Sequence, residues 1–181
     1  MNRVCKEPRY GLIALTALVM VLLTACTIYV RPGDVFVRGR LRIGIELGDI
    51  ITVFEPDRGS GATYFVGERI SFRVRARQDG FLTLTAIDPD GAVYVLMRNI
   101  FIEAGSTTTI PRRGDRFVFS LEPPRGLHRV RASFTSTETN TGSITYLGKR
   151  GDDLWTQTII TEIEPFPRDS RDVVETHFFL R

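Results

Sequence analysis

The chain has 181 residues, 43% of them hydrophobic and 25% charged, with a formal net charge of +3, and that length and apolar content suffice for one domain with a sizeable core. Two of the three positive charges sit in the first nine residues, where Arg3, Lys6 and Arg9 stand against Glu7, so bulk charge gives no argument for a polyanionic partner and only its distribution can. Both cysteines, Cys5 and Cys26, fall in the N-terminal stretch, which leaves the rest of the chain without a thiol for a disulfide, a zinc cage or a nucleophile.

The first predicted element is a signal. Three basic residues precede the apolar run Gly11 to Ala25, which is shorter than the roughly 20 residues of a bilayer-spanning helix. The run closes on Leu23-Thr24-Ala25-Cys26, which resembles the lipobox of bacterial lipoproteins, where the cysteine is acylated before cleavage. That resemblance implies lipidation of Cys26, which becomes the first mature residue and carries acyl chains such as palmitate. Each buried CH₂ contributes roughly 0.8 kcal/mol, so two or three chains give durable attachment where one is marginal. Thr27 stands where an inner-membrane retention aspartate would stand, so in a cell with two membranes the expected address is the outer one. An ordinary cleaved signal peptide, or an uncleaved anchor, is the plainer alternative.

The domain layout expected from this is a lipoprotein signal peptide over 1–25, a lipidated N-terminus and tether over 26–34, and a β-sandwich over 35–181. Pro32 and Gly33 break regularity in the tether. Val35 to Ile45 then alternates with Arg38, Arg40 and Arg42, and Ile50 to Phe54 follows as a short apolar run. Asp57 to Ala62 predicts a loop. From Ile70 to Arg77 the alternation is strict, with Ile70, Phe72, Val74 and Ala76 on one side and Ser71, Arg73, Arg75 and Arg77 on the other, as a half-buried strand requires.

Phe81 to Ile87 and Ala92 to Met97 predict two strands joined by Asp88-Pro89-Asp90-Gly91, a type I turn followed by a left-handed glycine. Thr107 to Ile110, Phe117 to Leu121 and Leu127 to Phe134 continue the series, closed by Pro111 and by Pro123-Pro124. Residues 136–153 are polar apart from Ile144, Tyr146 and Leu147 and predict a mobile or partner-contacting loop. Trp155 to Ile163 and Val173 to Leu180 read as the last strands, and no window of the mature part shows a helical period. About nine short strands with regular turn signals predict an all-β, antiparallel, immunoglobulin-like β-sandwich, with a closed barrel as the alternative.

Across Tyr64 to Thr137 a set of short pieces occurs in order: Phe65-Val66-Gly67-Glu68, Asp79-Gly80-Phe81-Leu82-Thr83-Leu84, Ile87-Asp88-Pro89-Asp90-Gly91, Val95-Leu96-Met97-Arg98-Asn99, Ala104-Gly105, Ile110-Pro111 and Gly126. This segment resembles the DUF4384 family of exported bacterial domains, with Met97-Arg98-Asn99 where the family usually has an aromatic-Pro-Asn corner. The resemblance implies a fold and an envelope address, the family's members looking like lipoproteins or accessory envelope domains. It implies no activity.

Chemistry is sparse. His128 is in phase with Val130, Ala132 and Phe134, and His177 with Val173 and Phe179, which makes both core or boundary residues before catalysts; a metal site joining the two is the enzymatic alternative. Asp88-Pro89-Asp90-Gly91 opens like a calcium loop, yet the twelfth position is Asn99 and not glutamate. Asp152-Asp153 is a weak cation candidate in a predicted loop. No glycine-rich phosphate loop and no glycosidase carboxylate pair is present. The expectation is therefore a non-enzyme without catalytic residues, metal or cofactor.

Lys149 is the only lysine after the signal, every other basic residue being arginine. The candidate anion-binding residues are Arg38, Arg40 and Arg42, then Arg73, Arg75 and Arg77, then Arg129 and Arg131, because neighbouring strands would merge these rows into one guanidinium face. Like charges destabilise a sheet face, so it needs acidic neighbours, for which Glu46, Asp49, Glu162, Glu164 and Glu175 are available, or a polyanionic partner. The function expected is a lipid-anchored cell-envelope domain that docks to an envelope protein or surface polymer. The alternative is capture of an anionic glycan or lipid head group on the arginine face. Nucleic acid is not expected as a partner of an exported chain without a recognition motif.

Overall fold

A computed structural model describes residues 44–140, 142 and 144–181. The signal segment, Cys26, and Arg38, Arg40 and Arg42 lie outside the described residues.

Among the described residues, ten strands and one α-helix, with a 3-10 turn at Arg168–Ser170, follow in chain order. They are β1 (Ile51–Pro56), β2 (Thr63–Tyr64), β3 (Arg69–Ile70), β4 (Phe72–Ala76), β5 (Gly80–Ile87), β6 (Val93–Ile102), β7 (Thr107–Ile110), β8 (Phe119–Ser120), β9 (Gly126–Thr135), α1 (Asp152–Ile163) and β10 (Arg171–Leu180). The fold is mostly β, and its strands form two open sheets with a small ribbon, not a barrel. The order is β1-β4-β7 in the first sheet, β2-β10-β9-β5-β6 in the second, and β3-β8 in the ribbon. Pairing is antiparallel except between β2 and β10.

The strand predictions hold where alternation is strict. In β4, Phe72, Val74 and Ala76 are buried while Arg73 and Arg75 are exposed. The predicted hairpin joins β5 to β6: the Gly91 N–H donates to the Asp88 carbonyl at 2.8 Å, and Gly91 sits at φ 85, where a side chain would strain the backbone. At the segment that departs from the family pattern, the β5–β6 register slips between Leu82 and Leu84 and Asn99 takes φ 51. Asparagine tolerates this left-handed conformation, and the bulge keeps the strand continuous.

The core between the sheets joins Ile51, Phe72, Val74 and Ile110 from one side to Leu82, Leu84, Ala132, Phe134 and Phe178 from the other. A second apolar cluster lies on the opposite face of the five-stranded sheet, where Trp155, Ile159 and Ile163 of α1 meet Ile87, Val93, Val173 and Tyr146. The segment read as a strand over Trp155–Ile163 is thus a helix. Gly151 at φ 86 precedes it, Asp152 and Asp153 occupy its first turn, where carboxylates favour the dipole, and Trp155, Ile159 and Ile163 recur every four residues along its buried side. Among the described residues, no helix is long and apolar enough to cross a membrane.

The described residues up to Arg150 of the polar stretch predicted to be mobile form a strap along the edge of β6. Thr139 and Tyr146 are buried, the Asn99 amide donates to the Thr139 carbonyl at 3.1 Å and its oxygen accepts from the Thr139 N–H at 3.0 Å, and Val93 N–H donates to the Lys149 carbonyl. Glu162 of α1, also buried, locks the strap by accepting from Tyr146 Oη at 2.6 Å, Thr139 Oγ1 at 3.0 Å and Arg98 at 2.5 Å.

Candidate binding site

The described chain enters the sandwich at one end, where Gly48 N–H donates to the Arg171 carbonyl and Asp172 Oδ2 accepts from Ile50 and Ile51 N–H at 2.9 and 2.8 Å. Burial pushes the Asp172 carboxyl above its ordinary value, and these bonds together with that of Val173 N–H oppose the shift. β9 and β10 pair over their full length, from Arg171 against Thr135 to Leu180 against Gly126. At about 3.3 Å per residue, the far end of β10 is about 30 Å from the entry.

At that far end lies a cavity of about 350 Å³, bounded by the inner face of the five-stranded sheet, by Ile70 and Phe72, and by the segment from Val118 to Pro123. Local sequence builds its rim. The Asp88–Gly91 turn brings Asp88 to the end of β5, and Gly126 lies so close that an added Cβ would be 2.9 Å from Pro89 Cγ, with φ 136 a second bar to any side chain. Tyr94 Oη donates to Asp88 Oδ1 at 2.9 Å, and the Tyr94 phenol is pushed up by burial and by that carboxylate. His128, 3% exposed, stacks on Phe178 with ring centroids 5.0 Å apart. Its Nε2 faces the Pro124 carbonyl at 2.8 Å and therefore donates to it. Its Nδ1 lies 3.0 Å from Asp88 Oδ1 without an aligned hydrogen bond.

His128 is thus a buried boundary residue tying two loops together. Ser120 shares the cavity, but among the described residues no hydrogen bond joins its hydroxyl to His128. His177 half-emerges on the other face of the sheet, beside Ser60 Oγ at 3.3 Å, because neighbouring residues of β10 point to opposite sides. The two histidines therefore cannot meet on one metal.

The arginine rows of β4 and β9 do not merge. β4 belongs to the three-stranded sheet and β9 to the five-stranded one. On β4, Arg73 pairs with Glu55 at 2.7 Å and Arg77 with Asp49 at 2.7 Å, while Arg75 points outward between them. On β9, Arg129 and Arg131 face α1. Arg131 is 1% exposed and reaches Glu175 at 2.7 Å, Thr156 at 2.8 Å and Asp152 at 2.9 Å, with its guanidinium 3.9 Å from the Trp155 ring centroid. Arg129 pairs with Asp152 and Glu175. Asp152, the weak cation candidate, is committed to these arginines, and an enclosed guanidinium with four partners cannot reach an external anion.

Of the residues that shape the far-end cavity, Tyr94 and Glu122 carried no site signal in the sequence, and Asp88 stood out only in a turn that opens like a calcium loop. Asp88 reads as a turn residue, Tyr94 as an ordinary strand aromatic, and Glu122 as loop; their convergence is set by the hairpin and the β3–β8 ribbon. Residues 63–138 match the family described as a domain of unknown function, DUF4384. No curated protein and no solved structure matches the chain.

Proposed function

We propose that this chain, which carries a DUF4384 domain over residues 63–138, is a lipid-anchored cell-envelope domain of non-enzymatic binding role, docking to another surface component through the Leu180 end of β10. The lipobox argues for the anchor and for an outer-membrane address in a two-membrane cell. The observation that carries the docking reading is a group of exposed apolar side chains at the Leu180 end of β10. Leu127 and Phe179 are directly opposed on β9 and β10 and exposed, as are Phe65, to 58%, and Val66, whose N–H donates to the Arg181 carbonyl. Grouped apolar side chains of this kind characterise interaction surfaces.

Two measurements test this. Intact mass of the mature protein is expected to show an acylated Cys26 terminus; an unmodified terminus removes the anchor. Affinity capture from solubilised envelope is expected to recover a partner with the native protein and lose it with the Leu127→Asp, Phe179→Asp double variant. Equal recovery by both rejects the docking end.

The second reading, capture of an anionic glycan or lipid head group on an arginine-rich sheet face, is favoured by Arg75, which has no ion-pair partner among the described residues. It predicts salt-sensitive binding to anionic vesicles that disappears when Arg73, Arg75 and Arg77 become serine.

A further inference from the structure

The far-end cavity has a charge character opposite to that of the chain around it. The chain has 24 basic residues, yet the cavity lining contains none of them and two carboxylates, Asp88 and Glu122. The remaining polar groups are Tyr94, Ser120 and His128. The Tyr94 hydrogen is already given to Asp88, and the His128 Nε2 hydrogen to Pro124. This leaves His128 Nδ1, on a side chain 4% exposed, 3.0 Å from Asp88 Oδ1 with no aligned hydrogen bond. Among the described residues, no hydrogen bond reaches Asp88 Oδ2. His128 Nδ1 and Asp88 Oδ2 are thus polar atoms of the cavity without an aligned hydrogen bond, which is unfavourable until a ligand satisfies them, and the charge of the lining, two carboxylates and no basic residue, favours a cation.

The walls below these acceptors are apolar. Ile70, Phe72, Leu96, Val130 and Phe178 line the cavity and suit a stem that prefers to leave water. One Asp88 oxygen already accepts from Tyr94, so Asp88 offers a single free oxygen and not the two parallel ones that a guanidinium fork takes, which suits the compact three-donor head of an ammonium. Glu122, at the mouth, adds attraction for the same sign.

We propose that this cavity is a binding site for a primary ammonium group on an apolar stem, supplied as a lysine side chain of the docking partner. The source of the lysine rests on the docking reading above; the chemistry of the cavity does not.

The test uses the full-length protein in detergent, with N-acetyl-lysine N-methylamide as probe and its norleucine counterpart as the uncharged control, followed by the NMR shifts of the Leu96 and Val130 methyl groups. The lysine probe is expected to saturate these shifts, and the norleucine control to bind about tenfold more weakly, the size of one charge-assisted hydrogen bond. The Asp88→Asn variant is expected to lose a similar about tenfold. Because that substitution touches the Tyr94 hydroxyl and the hairpin, Glu122→Gln serves as the second variant; Glu122 is exposed, so thermal unfolding is expected unchanged while affinity falls about threefold. Equal binding of the two probes overturns the proposal in favour of a plain apolar pocket, and so does the absence of saturable shifts. A tighter response to the arginine analogue replaces the ammonium by a guanidinium and overturns it too. If the lysine probe fails while the Leu127→Asp, Phe179→Asp variant still loses its partner, the docking reading stands and this site falls. If the probe binds and that variant keeps its partner, the site stands and the docking reading falls.

Discussion

The outer faces of the two sheets carry arginines at alternate positions and meet different environments. β4 and the residue after it present Arg73, Arg75 and Arg77 to solvent, the guanidinium ends of the two 2.7 Å pairs being 47% and 55% exposed. β9 presents Arg129 and Arg131 to α1, and there Arg131 is closed in against Trp155, Asp152 and Glu175. An alternating strand states which side chains share a face; whether that face is roofed depends on a segment elsewhere in the chain. The same residue type is therefore a solubilising charge in one sheet and an interior fastener in the other.

The sharpest way to break this contrast is to remove the roof. Trp155 is fully buried and donates to Thr85 Oγ1 at 2.8 Å, so Trp155→Ala is expected to cost about 3–5 kcal/mol and to lower the thermal midpoint strongly. Next is the fastener. Arg131→Ala leaves Glu175 and Asp152 short of a partner, but these side chains are 23% and 49% exposed, so the loss is expected near 2–3 kcal/mol, below the about 3–5 of a wholly buried pair; denaturant unfolding checks it. At the solvent face, the triple Arg73→Ser, Arg75→Ser, Arg77→Ser variant is expected to change stability by less than about 1 kcal/mol, as exposed pairs do. A loss as large as that of Arg131→Ala would erase the distinction between the faces.

Alkaline titration sharpens the comparison for the inner core. Tyr64 is fully buried, and burial, with its hydrogen bond to Asp57, pushes its phenol up from 10.0 to about 12. Between those values the folded state holds a proton the unfolded state has released, so stability is intact below pH 10 and declines as pH rises toward about 12. Ultraviolet titration of the phenolate against an unfolding probe checks this, and Tyr64→Phe is expected to flatten the decline.

β4 was legible because one of its faces is buried and the side-chain period is two, whereas β5, buried on both faces, was legible as a short apolar run. The β5–β6 turn was legible because proline and glycine dictate it. α1 was not, since Thr156, Thr158, Ile159, Ile160 and Thr161 are β-branched and suit a strand, and only the recurrence of Trp155, Ile159 and Ile163 marks the helix. The strap was hidden for another reason: Thr139 reads as polar loop, and its burial follows from Asn99 and Glu162, far away in sequence. The cavity was least legible, because Asp88, Tyr94, Glu122 and His128 come from four separate segments.

The account turns on which end of the sandwich meets a partner. Photo-crosslinking side chains installed singly at Phe65, Leu127 and Phe179, and as a contrast at Arg75 and Thr107 on the bare sheet face, test this in intact cells. Adducts to a common partner from the first three positions and none from the last two are the predicted result. Adducts confined to Arg75 and Thr107 would contradict it.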